Sequence, residues 1–148
     1  MSVLCAAVAG VCALAAAQGT KTYKARLAPV PMDASMAATV SGLGSATATL
    51  SGNTLTINGT FEGLKSPATI AQIHQAPRGI RGPVVFDLKV MPNGLGGTIS
   101  GTVTLTPQQV VDLDKAWFYI QLHSEKAPDG NLWGWLMPQD GKAQETKK

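Results

Sequence analysis

The feature that most constrains this chain is a series of short runs in which apolar and polar residues alternate, separated by turn residues. The runs GSATATL (44–50) and TLTINGTFEGL (54–64) flank Ser51-Gly52-Asn53, which is typical of a hairpin turn. Side chains on a strand alternate between two faces, so each run predicts a strand with one face toward a core. About eight runs, spaced by roughly 8–12 residues, indicate an all-β fold, either an antiparallel β-sandwich or a Greek-key barrel.

One segment carries helix signals instead. In TPQQVVDLDKA, Thr106 can cap a helix, Pro107 suits the first helical position and Gln109 completes a capping box. The segment predicts one short helix of about two to three turns that links two strands. The stretch 28–43 contains two prolines and predicts a long loop between the first and second strands.

The beginning of the chain is typical of a secretory signal peptide over residues 1–17. An apolar run from Val3 ends in Ala15-Ala16-Ala17, which favours cleavage before Gln18, and the run is too short to span a bilayer. No Lys or Arg precedes the run, which leaves open a true start further upstream, and a lipid anchor at Cys12 is an alternative. Both cysteines fall in this leader, so we expect a secreted or periplasmic mature chain without a disulfide or a transmembrane span.

The net charge of +3 is concentrated at the two ends of the mature chain. Between Leu27 and Gly141, six Lys or Arg residues stand against eight Asp or Glu residues. We therefore expect a slightly acidic body with basic ends, in a domain over residues 22–138 that is followed by a basic flexible tail over residues 139–148. This distribution argues against a nucleic-acid partner, which requires a basic stripe on the domain itself.

The chain has two histidines, and both occur in the same short pattern, Gln72-Ile73-His74 and Gln121-Leu122-His123. In each predicted strand the aliphatic residue points to the core, while Gln and His share the opposite face. If the strands are neighbours, two imidazoles and two amides converge on one outer patch. The hypothesis is a copper site with His74 and His123 as ligands and with Gln72 and Gln121 beside them. The alternative is that these are ordinary polar residues near strand ends.

Two other groups of residues are candidates for binding. Arg78 and Arg81 flank Ile80 in a predicted turn and could contact an anion or a partner, although exposed loops often carry such charges. Trp133 and Trp135 share one face of the last predicted strand, and we interpret them as packing residues. No nucleophile elbow, phosphate loop or close pair of carboxylates is recognisable in the sequence.

Several blocks follow one another in a specific order between Tyr23 and Leu136. They are LAPVP, GSATATL, LTINGTFEGL, ATIAQIHQAPRGIRGPVVFDL, GTISGTVTLT with TPQQVVDL, and FYIQLHSEKAPDGNLWGWL. These blocks resemble the CHRD domain family, found in chordin and in many bacterial exported proteins. The resemblance implies an antiparallel Greek-key β-sandwich that is immunoglobulin-like and distantly similar to copper/zinc superoxide dismutase. Gln72 stands where many members begin a His-x-His pair, and Trp133 stands where an arginine is usual.

Three functional hypotheses follow. The first is an exported, non-catalytic module for binding or for cell-envelope structure, with a protein or envelope component as its partner. The second is a mononuclear copper-binding protein that uses His74 and His123. The third is a degenerate redox protein similar to superoxide dismutase, although two histidines are too few for that enzyme's two metals and its guiding arginine is not recognisable.

Overall fold

Nine β-strands, one 3₁₀ helix and one α-helix form the chain over residues 19–139, the part that this computed structural model describes. The strands are β1 (Lys21–Pro29), β2 (Leu43–Ser51), β3 (Thr54–Glu62), β4 (Ala68–Gln75), β5 (Val84–Asn93), β6 (Gly96–Thr104), β7 (Phe118–Ser124), β8 (Ala127–Trp135) and β9 (Met137–Pro138). The 3₁₀ helix is Ala34–Ala38, and the α-helix, α1, is Pro107–Asp114. The expected leader and most of the expected tail lie outside the described residues. No helix within residues 19–139 is long and apolar enough to cross a membrane.

The strands form a closed antiparallel barrel in the order β1-β2-β3-β6-β5-β4-β7-β8, which then returns to β1. The first part of β1 pairs with β2, and its last two residues pair with β8. The barrel has two walls, one formed by β4, β7 and β8 and the other by β2, β3 and β6. Like β1, β5 passes from one wall to the other, because its residues Val84–Leu88 pair with β4 and its residues Lys89–Asn93 pair with β6. The all-β class, the number of main strands and the short helix are thus confirmed, but the walls are joined into a barrel rather than forming the two separate sheets of a sandwich.

The core of the barrel consists of the inward-facing residues of each strand. On β7 these are Phe118, Ile120 and Leu122, all at most 1 % exposed, as the alternation predicts. β1 contributes Tyr23 and Leu27, both fully buried. Burial of each such side chain stabilises the fold by roughly 1.5–3 kcal/mol.

The helix α1 connects β6 to β7 and begins as its sequence predicts. The hydroxyl of Thr106 accepts a hydrogen bond from the Gln109 backbone N–H at 3.2 Å, and the Gln109 side chain accepts one from the Thr106 N–H at 2.9 Å. At the other end, Asp114 accepts hydrogen bonds from Lys21 Nζ (2.7 Å) and Tyr23 OH (2.5 Å) on β1. Burial raises the pKa of Asp114, but these two hydrogen bonds and the Lys21 charge outweigh that effect and leave the pKa below its ordinary value.

The long loop between β1 and β2 packs against the outside of the barrel wall. It contains the 3₁₀ helix, which Asp33 caps by accepting from the backbone N–H groups of the first turn. Val30 and Val40 of this loop form a small buried cluster with Ala127, and Met36 and Trp133 pack against that cluster. The outer face of β8 is therefore partly covered, which no strand pattern indicates.

Closure of the barrel depends on a close approach between β8 and β1 at Gly134. A Cβ atom at this position would lie 2.2 Å from the Arg26 carbonyl oxygen and 3.1 Å from Leu27 Cδ2. Gly134→Ala should therefore lower the free energy of unfolding by about 1–3 kcal/mol, the usual cost of overpacking. Urea denaturation measures this change, with Gly19→Ala as the control because nothing lies within 4 Å of that position. Equal urea midpoints for the two variants would show that the β1–β8 contact is not tight.

Candidate functional site: an aromatic patch on the barrel wall

The outer faces of β4, β7 and β8 carry polar and aromatic side chains in two rows across the strands. The first row is His74, Tyr119 and Trp135, and the second is Gln72, Gln121 and Trp133. The strands β8 and β9 pair with β1 in one continuous register, which places Arg26 of β1 opposite Trp135. Arg26 therefore extends the first row onto β1. The two glutamines do lie directly opposite each other, as their matching patterns allow.

Both histidines lie on the outer face of the barrel, yet His74 is only 9 % exposed and His123 only 8 % exposed. Two segments fold back over them. The loop at residues 76–83 covers the first row, and residues 128–130 of β8 bulge over the end of β7. Strand alternation alone therefore identifies the face of each histidine but not its burial.

His74 belongs to a set of hydrogen bonds that holds the covering loop. Its Nδ1 lies 2.8 Å from the Gly82 carbonyl oxygen, and its ring stacks on Tyr119 at 4.9 Å between centroids. The Tyr119 hydroxyl in turn accepts from the Gly82 N–H at 3.0 Å. Because a carbonyl only accepts, Nδ1 must carry the proton, and in the neutral ring Nε2 is left as an acceptor. That Nε2 is buried and has no hydrogen-bond partner.

His123 repeats this arrangement at the opposite end of the wall. Its Nδ1 lies 2.7 Å from the Pro128 carbonyl oxygen, while Gln121 Nε2 donates to the Asp129 carbonyl oxygen at 2.9 Å. The bulge that supplies both carbonyls requires glycine at position 130, where φ is +135° and a Cβ would lie 2.3 Å from Gln121 Nε2. The Nε2 of His123 is also buried without a partner.

The register places the two histidines apart along the wall. His74 lies opposite Tyr119 of β7, and His123 is four residues further along the same strand. At the usual rise per residue, the two histidines are therefore about 13 Å apart along the strand direction. Gln72 turns to the neighbouring strand, where its Nε2 donates to Asp87 at 2.9 Å. Within residues 19–139, no three His, Cys, Asp or Glu residues cluster in a way that could hold a metal ion.

Four ring side chains form a continuous cluster, which we call the aromatic patch: His74, Tyr119, Trp133 and Trp135. Tyr119 is central, with ring centroids 4.9 Å from His74, 4.6 Å from Trp135 and 5.8 Å from Trp133. The two indoles meet edge to face at 4.7 Å. The indole N–H of Trp135 donates to the Ala76 carbonyl oxygen at 3.1 Å, which fixes the ring beneath the loop. Both indoles remain half-buried, so they are packing residues that also keep exposed surface.

Arginines surround this patch. Arg26 and Arg78 line a groove with Trp133 and Trp135, and Arg81 lies over the Trp133 ring, 5.7 Å from its centroid. The sequence predicted Arg78 and Arg81 as a candidate pair, and both are exposed. It missed Arg26, because only the register of β1 against β8 and β9 brings that residue to the same wall.

Tyr119→Phe should loosen the covering loop without emptying the core. The substitution removes the acceptor of the Gly82 N–H, a hydrogen bond worth roughly 1 kcal/mol, while the ring keeps its stacking on His74. We expect faster amide hydrogen exchange at residues 76–83, measured by mass spectrometry. Tyr23→Phe, which loses a hydroxyl at the other wall, is the control and should leave this loop unchanged. Equal exchange in Tyr119→Phe and wild type would mean that the hydroxyl does not hold the loop.

Comparison with known proteins identifies the family to which this barrel belongs. The family model described as the CHRD domain matches residues 23–136, a stretch that runs from β1 through β8 and includes the whole aromatic patch. No curated protein and no solved structure matches the chain, so the distant similarity to superoxide dismutase is not borne out. Since the family model covers most of the sequence, the chain belongs to the CHRD domain family.

Proposed function

We propose that this chain is a non-catalytic binding module that acts in the cell envelope or in the medium outside the cell. The observation that supports this most is the groove beside the aromatic patch, where two half-buried indoles and two arginines lie on one wall. Tryptophan, tyrosine and arginine are the residue types that most often dominate the energetics of binding interfaces. The surface therefore has the chemistry of a recognition site.

The surroundings of the two histidines favour binding over catalysis. Histidine is the side chain best suited to proton transfer near neutral pH. Here both Nδ1 atoms bond backbone carbonyls, His74 to Gly82 and His123 to Pro128, rather than a carboxylate or a nucleophilic hydroxyl. Their contacts hold covering segments in place, which is a structural task.

We infer export from the leader expected over residues 1–17 and from the family membership. The mature chain then begins at Gln18, with its domain over residues 22–138 and a basic tail after it. We also interpret the barrel as a Greek-key arrangement, because β4, β5 and β6 follow as hairpins and β7 returns beside β4.

Sedimentation with cell envelopes isolated from the native organism tests the proposal. Trp135→Ala and Arg78→Glu should each leave at least several-fold more mature protein in the supernatant than the wild type does, because both change the groove. Trp117→Ala is the matched control, since Trp117 is 36 % exposed but lies outside the patch and contacts Lys115. Arg78 is exposed, so its variant tests binding even if Trp135→Ala is unstable. Equal sedimentation of all forms, or turnover of a substrate that one substitution abolishes, would overturn the proposal.

A second candidate function is metal binding, with copper as the preferred ion and His74 and His123 as the ligands. It is favoured by the buried, unpartnered Nε2 atom of each histidine, whose other ring nitrogen donates to a carbonyl. Metal-binding histidines are commonly oriented in this way. Gln72 and Gln121 lie between the two rings in the register and would be the nearest amides.

Copper content after dialysis tests this second function. Stoichiometric copper should remain on the folded wild type, and His74→Ala and His123→Ala should each lower it. Because about 13 Å of β7 separates the levels of the two histidines, each substitution should remove about half of the copper, whereas loss of all copper in either variant would indicate one shared ion and a different register. Protein unfolded in urea is the control for non-specific uptake by the same residues. Wild-type protein that retains no stoichiometric metal would exclude this function.

A further inference from the structure

All three arginines of the chain lie on the wall that carries the aromatic patch. They come from distant parts of the sequence, Arg26 from β1 and Arg78 and Arg81 from the loop after β4. Arg26 and Arg78 line the groove itself, and Arg81 stacks above Trp133 at its side. The fold thus gathers every guanidinium group of the protein around two indole rings.

None of the three arginines is neutralised by a carboxylate of the described chain. Within residues 19–139 the ion pair is between Lys21, at the start of β1, and Asp114, at the end of α1. No Asp or Glu lines the groove. A guanidinium group presents a planar fork of donors that matches a carboxylate in two parallel hydrogen bonds. Unpaired arginines around one groove therefore favour a ligand that carries carboxylates.

The indoles define the other half of the ligand. Trp135 already uses its N–H on the Ala76 carbonyl oxygen, so its exposed surface is the apolar ring rather than the donor. Together with Trp133 it forms an apolar wall of the groove. The C–H face of a sugar ring is apolar and packs well against such aromatic surfaces, while the ring substituents remain free for polar contacts.

The shape of the groove favours part of a polymer over a small enclosed ligand. Its volume is about 280 Å³, just below the usual range of roughly 300–1,000 Å³ for small-molecule pockets, and it lies on the outer wall of the barrel. At the groove, β1 and β8 pair with each other and with β2 and β7 on their other sides, so a peptide has no free strand edge there to which it could add. A chain of sugar rings needs no such edge.

We propose that the groove binds an acidic polysaccharide. The carboxylate substituents of its sugars bind Arg26 and Arg78, and the sugar rings pack against Trp133 and Trp135. This inference rests on the proposed function, since it names the ligand of that binding module. The Arg81 guanidinium, held over Trp133, adds positive charge beside the rings. Nucleic acid would also suit aromatic rings and arginines, but two cations in one short groove and a third beside it are few for a phosphate backbone, and the rest of the domain is slightly acidic.

Titration calorimetry with the mature protein tests the ligand class. The acidic probes are polygalacturonate and alginate, and the neutral probe is fully methyl-esterified polygalacturonate, which keeps the rings and removes the charge. We expect binding to at least one acidic probe that weakens with salt, and at least tenfold weaker binding of the ester. Arg26→Gln and Arg78→Gln should each weaken acidic binding by about tenfold, the loss expected for one charge-assisted hydrogen bond. Lys89→Gln removes an equal charge from exposed surface outside the groove and should change nothing.

The other outcomes separate this inference from the proposed function. Equal binding of the ester would overturn the role of the carboxylates, and equal or tighter binding of polyglutamate or of oligo-dT would replace the sugar with another polymer. If neither acidic polysaccharide binds at millimolar sugar concentration, the inference fails. In each of these cases the binding module itself stands if envelope sedimentation still depends on Trp135 and Arg78, and it falls only if that dependence is also absent.

Discussion

The pairing of β1 with both of its neighbours is the constraint on which the rest of this structure depends. Residues Lys21–Leu27 pair with β2, and β8 and β9 together pair along the other side in a single register. That second contact requires the backbones to approach so closely at Gly134 that no side chain fits there. The glycine separates Trp133 from Trp135, so the residue that permits closure also divides the two indoles of the patch.

Closure determines which kinds of recognition remain available to the protein. At the groove the backbone groups of β1 and β8 are satisfied by neighbours on both sides, so binding there cannot use a free strand edge. Recognition must therefore use side chains on the outer wall and the loops folded over that wall. The loop at residues 76–83 connects the two, because Tyr119 and His74 of the wall anchor its Gly82 while its Arg78 lines the groove. The buried polar contacts position the exposed charged ones.

Local patterns predicted much of this fold, because alternation and capping are local effects. The core face of β7, the capping box at Thr106 and the shared outer face of the two Gln-x-His patterns all follow from residues within one strand or turn. The distance between the histidines does not follow in the same way. In antiparallel neighbours, aligning Gln72 with Gln121 sends the residue two positions later in opposite directions, so His74 and His123 diverge. Register, not residue type, separates them.

The two features that sequence reasoning missed, Arg26 in the groove and the covering of the wall, both depend on contacts between distant segments. Trp133 shows how they combine. It lies on β8, and Arg81 of the covering loop lies over its ring. A guanidinium group above an indole gains from the negative face of the ring. The loop thus places a positive charge beside an aromatic residue of β8, and the wall offers charge and an apolar surface together.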